Sequence, residues 1–281
     1  MNKQVKTFLR DRAAVMAAVV LLSLVLISLF APWLSPHDPN NTSLRNMMQA
    51  PSQLHPLGTD DLGRDVLSRM MFAGRVSLGL AFSVTALALI LGSVIGGLAG
   101  LLGGRVDAVI SAVVDTFLAV PPLALAMVAS AFLSLNLTTL TIVLALVSWP
   151  GIARIARGQV LTLRERTYVE AARASGASTV RLLRRHLLPN AVAPLVVAGT
   201  LLVATVILVE SALSFLGFGL APPTASWGGM LNEAQPWFQE APWLAVFPGL
   251  AITLAVAASN LVGDALRAAI AGGTLRRDTP T

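Results

Sequence analysis

The 281-residue sequence contains no cysteine. A disulfide scaffold, a thiolate metal site, an iron–sulfur cluster and a cysteine nucleophile are thereby excluded. Charge is scarce as well. Asp, Glu, Lys and Arg make up 12% of the chain, against about 25% in a soluble globular domain. Lysine is nearly missing, with only Lys3 and Lys6 present. A phosphate-binding loop needs a lysine directly after a glycine-rich turn, and neither lysine has one. Any energy from ATP must therefore arrive through contact with another protein. Histidine is limited to His37, His55 and His186, far apart in sequence and without the spacing of a metal-binding motif, so no metal site is expected.

What is abundant is apolar. Hydrophobic residues make up 55% of the chain, and the mean hydropathy is +0.74. With half the usual charge, an ordinary surface cannot be solvated, and lipid must cover much of this one. The net charge of +6 then reads as basic cytoplasmic loops and not as a nucleic-acid surface.

A hydrocarbon core about 30 Å thick needs roughly 20 apolar residues of helix. Six stretches approach this: 13–34, 76–102, 108–135, the short 137–153, 191–215 and 243–266. Lys3, Lys6, Arg10 and Arg12 precede the first, as in a signal peptide. Its apolar run is too long for one and no A-x-A site follows, so it is expected to remain as an anchor. With the N-terminus inside, sixteen Lys and Arg fall on the cytoplasmic side. Only Arg45, Arg64, Arg69 and Arg75 fall outside. The excess of basic residues sets orientation, so both termini are expected in the cytoplasm. Gly92, Gly96, Gly100 and Gly104 recur every fourth position in the second span, a small-residue row that lets helices approach closely or that could line a path.

Ionisable groups near apolar spans are costly and are functional candidates by default. Asp115 lies about two turns into the third span with Asp107 just before it on the cytoplasmic side, Glu210 near the outer end of the fifth, and Asp264 at the inner end of the sixth, where Arg267 can pair with it. Asp60, Asp61 and Asp65 form one acidic cluster, whereas diphosphate chemistry needs two. Thr59 or Asp60 is expected to cap a short helix leading into the second span.

The segment 154–189 is the longest and most basic cytoplasmic one. Its first part, 159–174, consists of helix formers, with Leu161, Tyr168 and Ala172 on one face. Gly176 stands where a helix C-terminus favours a left-handed residue, and Ser178 or Thr179 can cap a second helix. There Val180, Leu183 and Leu187 share one face, Arg181, Arg184 and Arg185 project from the other, and Pro189 is expected to end the helix. Such a pair could rest on anionic headgroups or dock a soluble partner.

Glu170-Ala171-Ala172-Arg173-Ala174-Ser175-Gly176, followed by His186-Leu187-Leu188-Pro189-Asn190, resembles the EAA loop of permease subunits of bacterial ABC importers. His55-Pro56-Leu57-Gly58-Thr59-Asp60-Asp61-Leu62-Gly63-Arg64-Asp65-Val66 is similar to a segment of the dipeptide/oligopeptide/nickel branch of that family. So are the run from Glu210 to Leu220 and the run from Asn260 to Arg267. The resemblance spans nearly the whole chain and points to the second, shorter permease of the pair. It implies an all-α, six-span type I permease fold with a helix–turn–helix between spans four and five. The expected division is 1–74 for the N-tail, first span and periplasmic segment, 75–267 for the permease core, and 268–281 for the C-tail. The implied partners are a homologous permease, two ATP-binding subunits that hold ATP and Mg²⁺, a solute-binding protein, and membrane lipid. Glu170, Ala171, Ala172, Gly176, Leu188 and Pro189 are assigned to coupling with the ATPase, and Glu210 to the path or its outer gate. The chain is expected to be no enzyme, with no catalytic residue and no cofactor of its own. Peptides are the expected cargo, with nickel or another small solute as the alternative. An ion-coupled secondary transporter would need an internal repeat, and a membrane enzyme would need a second acidic cluster.

Overall fold

The computed structural model describes residues 8–9, 11–133 and 136–274. The basic residues Lys3, Lys6, Arg10, Arg276 and Arg277, and the expected end of the third span at Leu135, lie outside the described residues. All regular elements among the described residues are helical. Five helices are long and apolar enough to cross a membrane, and six spans result if one bent pair counts as a span.

Helix α1, Arg12–Leu29, starts at an Asp11 cap whose side chain accepts the amides of Ala13 and Ala14. It ends sooner than expected, before a separate turn at Ala31–Leu34. Helix α2, Val66–Leu102, is about 55 Å long at 1.5 Å per residue and starts ten residues before the expected Val76. Its cap is Asp65, which accepts the Ser68 amide at 2.8 Å, and not Thr59 or Asp60. The early start was hidden because Arg69 and Arg75 interrupt the apolar run. Arg69 is nonetheless buried, held by acids that lie far away in sequence or in the preceding loop.

The third expected span is not one helix. Helix α3, Gly104–Ala119, and helix α4, Pro122–Phe132, meet at 86°. Val120 is extended at the joint, and Pro121 and Pro122 follow it. Proline disfavours a helical residue before it and removes the donor a continuing helix needs, and here two prolines act in succession. Eleven residues of α4 reach only about 16 Å, so neither half crosses a bilayer alone.

Helix α5 runs Leu137–Arg164 with Pro150 inside. Helix α6 is Thr167–Ala174. One α-turn at Thr179–Leu182 and a π-turn at Leu183–Leu187 lead straight into α7, Leu188–Phe215. The short α8, Trp227–Ala234, precedes the long α9, Trp243–Thr274.

The core is one bundle. α2 lies along α5, α7 packs against α9 and α2, and α1 covers α9 and α2. The glycine row sets a close contact between α2 and α5. A Cβ at Gly92 would come within 2.8 Å of Trp149 O, one at Gly96 would strike Ala153 O, and one at Gly100 would meet Arg157 O at 2.8 Å. These glycines bring two backbones together. Gly104 belongs to the next helix and meets nothing. On the outside, Met16, Val19, Leu22, Ile90, Val94, Leu208, Leu250 and Leu254 are exposed, an apolar coat suited to lipid contact.

Candidate functional site

Segment 154–189 is less loop-like than expected. α5 continues through Arg154, Arg157 and Arg164 before it stops. Arg157 Nη2 donates to Asp107 Oδ2 at 2.7 Å, Arg164 Nη1 donates to Gly100 O at 3.0 Å, and Arg154 pairs with Asp115. The expected single helix over 159–174 is broken at Glu165–Arg166. Leu161 and Tyr168 therefore sit on different helices, Tyr168 is exposed, and the anchor is Val169, fully buried.

Gly176 lies at φ +80°. The Ala177 amide donates to Ala172 O at 3.1 Å, the 6→1 bond of a Schellman motif. Ser178 Oγ then accepts the Arg181 amide at 3.4 Å, a long cap for the returning strand of the hairpin. On that side Leu182, Leu183 and Leu187 are buried while Val180 is 62% exposed. The expected face of Val180, Leu183 and Leu187 is corrected accordingly: the π-turn shifts the phase and brings Leu182 inward. Pro189 does not end this helix. It occupies the first turn of α7, where its missing N–H costs little.

Val169, Leu182, Leu183 and Leu187 form one cluster with Leu101 of α2 and Val160 of α5, flanked by Ala172, Ala177 and Leu188. Burying each large aliphatic side chain contributes roughly 1.5–3 kcal/mol over leaving it in water, so the hairpin is fastened to the ends of α2 and α5. Its other face is free. Glu170, Ala171, Ala174, Ser175 and Gly176 are exposed, as are Arg181, Arg184, Arg185 and Pro189. Of the six residues assigned to coupling, Glu170, Ala171, Gly176 and Pro189 are on the open side, and Ala172 and Leu188 join it to the cluster.

Asp115 and its partner Arg154 border a cavity of about 250 Å³ with Gly96, Ser111, Val114, Ala153 and Arg157, and Arg157 is in turn held by Asp107. The Asp115–Arg154 pair is more than half exposed, an unusual state for charges between membrane helices. Asp264 and Arg267 approach to 4.0 Å.

Glu210 lies at the other end of the molecule and is fully buried. Ser77 Oγ donates to its Oε2 at 3.2 Å and Ser214 Oγ to its Oε1 at 2.8 Å. The Trp227 amide in turn donates to Ser77 Oγ at 3.2 Å. The carboxylate thus joins α2, α7 and α8. Nearby, Arg64 Nε donates to Asp60 Oδ2 at 2.6 Å, and Arg64 and Arg69 both donate to Glu233 Oε2, at 3.0 and 2.8 Å. Sequence reasoning missed Glu233 because its partners lie over 160 positions earlier. The histidines were likewise underread: the rings of His37 and His55 lie with centroids 4.9 Å apart, tilted by 37°, and both approach Asp65.

Residues 92–275 match the family described as binding-protein-dependent transport system inner membrane component. Residues 3–51 match the N-terminal TM domain of oligopeptide transport permease C. A protein of Brucella abortus biovar 1, provisionally named a peptide transport system permease protein, is 42% identical over 93% of this chain and 88% of its own length. The dipeptide transport system permease protein DppC of Alkalihalophilus pseudofirmus is 38% identical over 95% of this chain and 87% of its own. Among solved structures, a chain of the MetNI methionine ABC transporter in inward-facing form superposes with a TM-score of 0.55. It is 22% identical and covers 71% of this chain and 97% of its own, a likeness of fold. The apolar helices, the hairpin fastened beneath them and these matches agree: this multi-pass membrane chain belongs to the family of binding-protein-dependent transport system inner membrane components, the permeases of ABC importers.

Proposed function

We propose that the chain forms half of the transmembrane path of a peptide importer. A homologous permease supplies the other half, two ATP-binding subunits dock beneath, and a solute-binding protein delivers the peptide from outside. The proposed site is the bacterial inner membrane, with both termini in the cytoplasm. The observation that carries the reading is the hairpin: one face is fastened to α2 and α5, and the other presents Glu170 and the Gly176 turn to an absent partner.

ATP and Mg²⁺ belong to the ATP-binding subunits, and no bond chemistry takes place in this chain. When those subunits close, the docked hairpins move with them and carry the helix ends, so the path faces alternately outward and inward. The exposed Asp115–Arg154 pair supports the placement of the second permease against the α3–α5 face, because charges at this depth require a protein or water neighbour. Peptide cargo is supported by the names of the relatives. Glu210, buried between α2, α7 and α8, suits a fastening of the outer gate better than a surface of the path.

The test is uptake by the reconstituted complex. Labelled dipeptide should accumulate in proteoliposomes only with ATP, the binding protein and both permeases present. Accumulation of nickel without dipeptide uptake would transfer the reading to the alternative cargo. ATP-independent uptake driven by a proton or sodium gradient would overturn the importer reading.

A further inference from the structure

At the start of α2, opposite the hairpin end, three side chains from separate segments converge. The ligand atoms of His37, His55 and Asp65 all lie within 4.8 Å of one another. His55 Nδ1 is 2.9 Å from Asp65 Oδ1, and His37 Nδ1 is 3.8 Å from that same oxygen. We propose that His37, His55 and Asp65 bind a divalent first-row transition-metal ion, with Zn²⁺ the natural occupant.

Four observations support it. First, the donor set is two imidazoles and one carboxylate, the combination that holds Zn²⁺ with a fourth position left for water. Second, His37 Nδ1 is buried and has no hydrogen-bond partner. Buried polar groups are nearly always paired, and each exception asks for an unseen partner. The side chains of His55 and Asp65 are 6% and 1% exposed, so their desolvation is already complete.

Third, the site is built. Asp65 Oδ2 accepts both the Ser68 amide and the Ser68 hydroxyl, at 2.8 and 2.7 Å. That leaves Oδ1 directed at the histidines. The His37 amide donates back to Ser68 Oγ at 3.2 Å, and the His55 amide donates to Ser52 Oγ at 3.1 Å. Ligands fixed by such neighbours lose little freedom on binding. Fourth, the charge works. Two neutral imidazoles and one carboxylate give a set of −1, and a divalent cation brings it to +1. The cation would take the place of the hydrogen bond between His55 Nδ1 and Asp65 Oδ1.

The consequence is structural. His37 follows α1, His55 lies in the connecting loop and Asp65 caps α2. One ion would bind these three segments together on the face away from the hairpin. Nothing here depends on the cargo.

The complete complex, purified through a removable tag on another subunit, is stripped with EDTA, desalted and equilibrated with ZnCl₂. Bound zinc is counted by mass spectrometry for wild type, His37→Gln and the double variant His37→Gln/His55→Gln. Wild type should hold one more zinc per complex than the double variant, and His37→Gln should weaken that site at least tenfold. Co²⁺ substitution should give visible d–d absorption in wild type that the double variant lacks. His37 is a third exposed, so its single variant should assemble even if the double does not. Equal zinc in wild type and in the assembled His37→Gln complex across the titration would overturn the proposal, as would a wild-type complex that binds none above an unliganded control permease pair.

Discussion

Gly176 has open space where a Cβ would project, yet its φ is +80°. Strain at this residue is therefore purely backbone strain. A non-glycine residue in the left-handed region costs about 1–2 kcal/mol, and asparagine tolerates it best. Gly176→Asn is accordingly expected to retain ATPase association and transport, whereas Gly176→Val loses both, read by pull-down and uptake in the same cells. Glu170→Lys reverses a charge on the exposed face without touching the buried cluster. It is expected to insert normally, to abolish docking and to leave delivery by the binding protein intact. Full docking by Glu170→Lys would remove Glu170 from the coupling surface. A headgroup-binding role predicts the opposite pattern, graded loss across Arg181, Arg184 and Arg185 with normal ATPase association. Glu233 makes a third case. It compensates two guanidiniums that are 8% and 2% exposed, and removing one partner of a buried pair costs about 3–5 kcal/mol. Glu233 is itself a third exposed, so Glu233→Ala is expected to cost roughly half of that, seen as a lower unfolding temperature of the complex.

Among the elements, α2 and α5 depend on each other most directly. Replacing Gly96 by Leu places carbon where Ala153 O already sits, and interiors this dense do not yield. Gly96→Leu is expected to prevent assembly. Gly79→Ala on the same helix meets nothing within 4 Å and should be neutral or mildly stabilising, by up to about 1 kcal/mol of helix propensity. Equal behaviour of the two variants in detergent size exclusion would refute the close-packing account. The row was legible as small residues at a fixed period, since spacing alone places them on one face. Its target was not, because Ile152 and Ala153 carry no matching signal. The broken third span was visible in principle at Pro121-Pro122, but the largely apolar run from Ala108 onward carries no sign of a bend by itself. The hairpin was legible through Gly176 and misread in phase, because a π-turn has no residue signature and periodicity assumes 3.6 residues per turn.

For the whole molecule, the absence of cysteine makes orientation directly measurable. Gln53, Gln239 and Ser178 are all exposed. Cysteines at 53 and 239 should react with an impermeant thiol reagent added to spheroplasts, while a cysteine at 178 should react only after lysis. Labelling of position 178 from outside would invert the arrangement. The Asp115–Arg154 pair tests the second-permease face at the same scale. Asp115→Arg is expected to impair heterodimer formation or uptake, and the exchange Asp115→Arg/Arg154→Asp should restore most of it if the pair acts as a unit. Composition and the apolar runs were enough to read the class and five of the six expected spans. Long-range pairs such as Arg69 with Glu233 were not readable, because an ion pair between distant positions leaves no local trace.

The π-turn at Leu183–Leu187 has one further consequence. From Thr179 to Phe215 the chain is a single rod whose screw is advanced by one extra residue just below its entry into the bundle. One residue corresponds to about 100° of rotation. Deleting a residue there would restore the ordinary winding, leave every apolar side chain in the rod below the slip intact, and swing Arg181 and the Gly176 turn through more than a quarter of a circle relative to α7. The hairpin would then present a different azimuth to whatever it grips. The handle of this machine is set at its angle by one surplus residue, so the coupling should withstand substitution of the exposed Arg184 or Arg185 and fail on deletion of either.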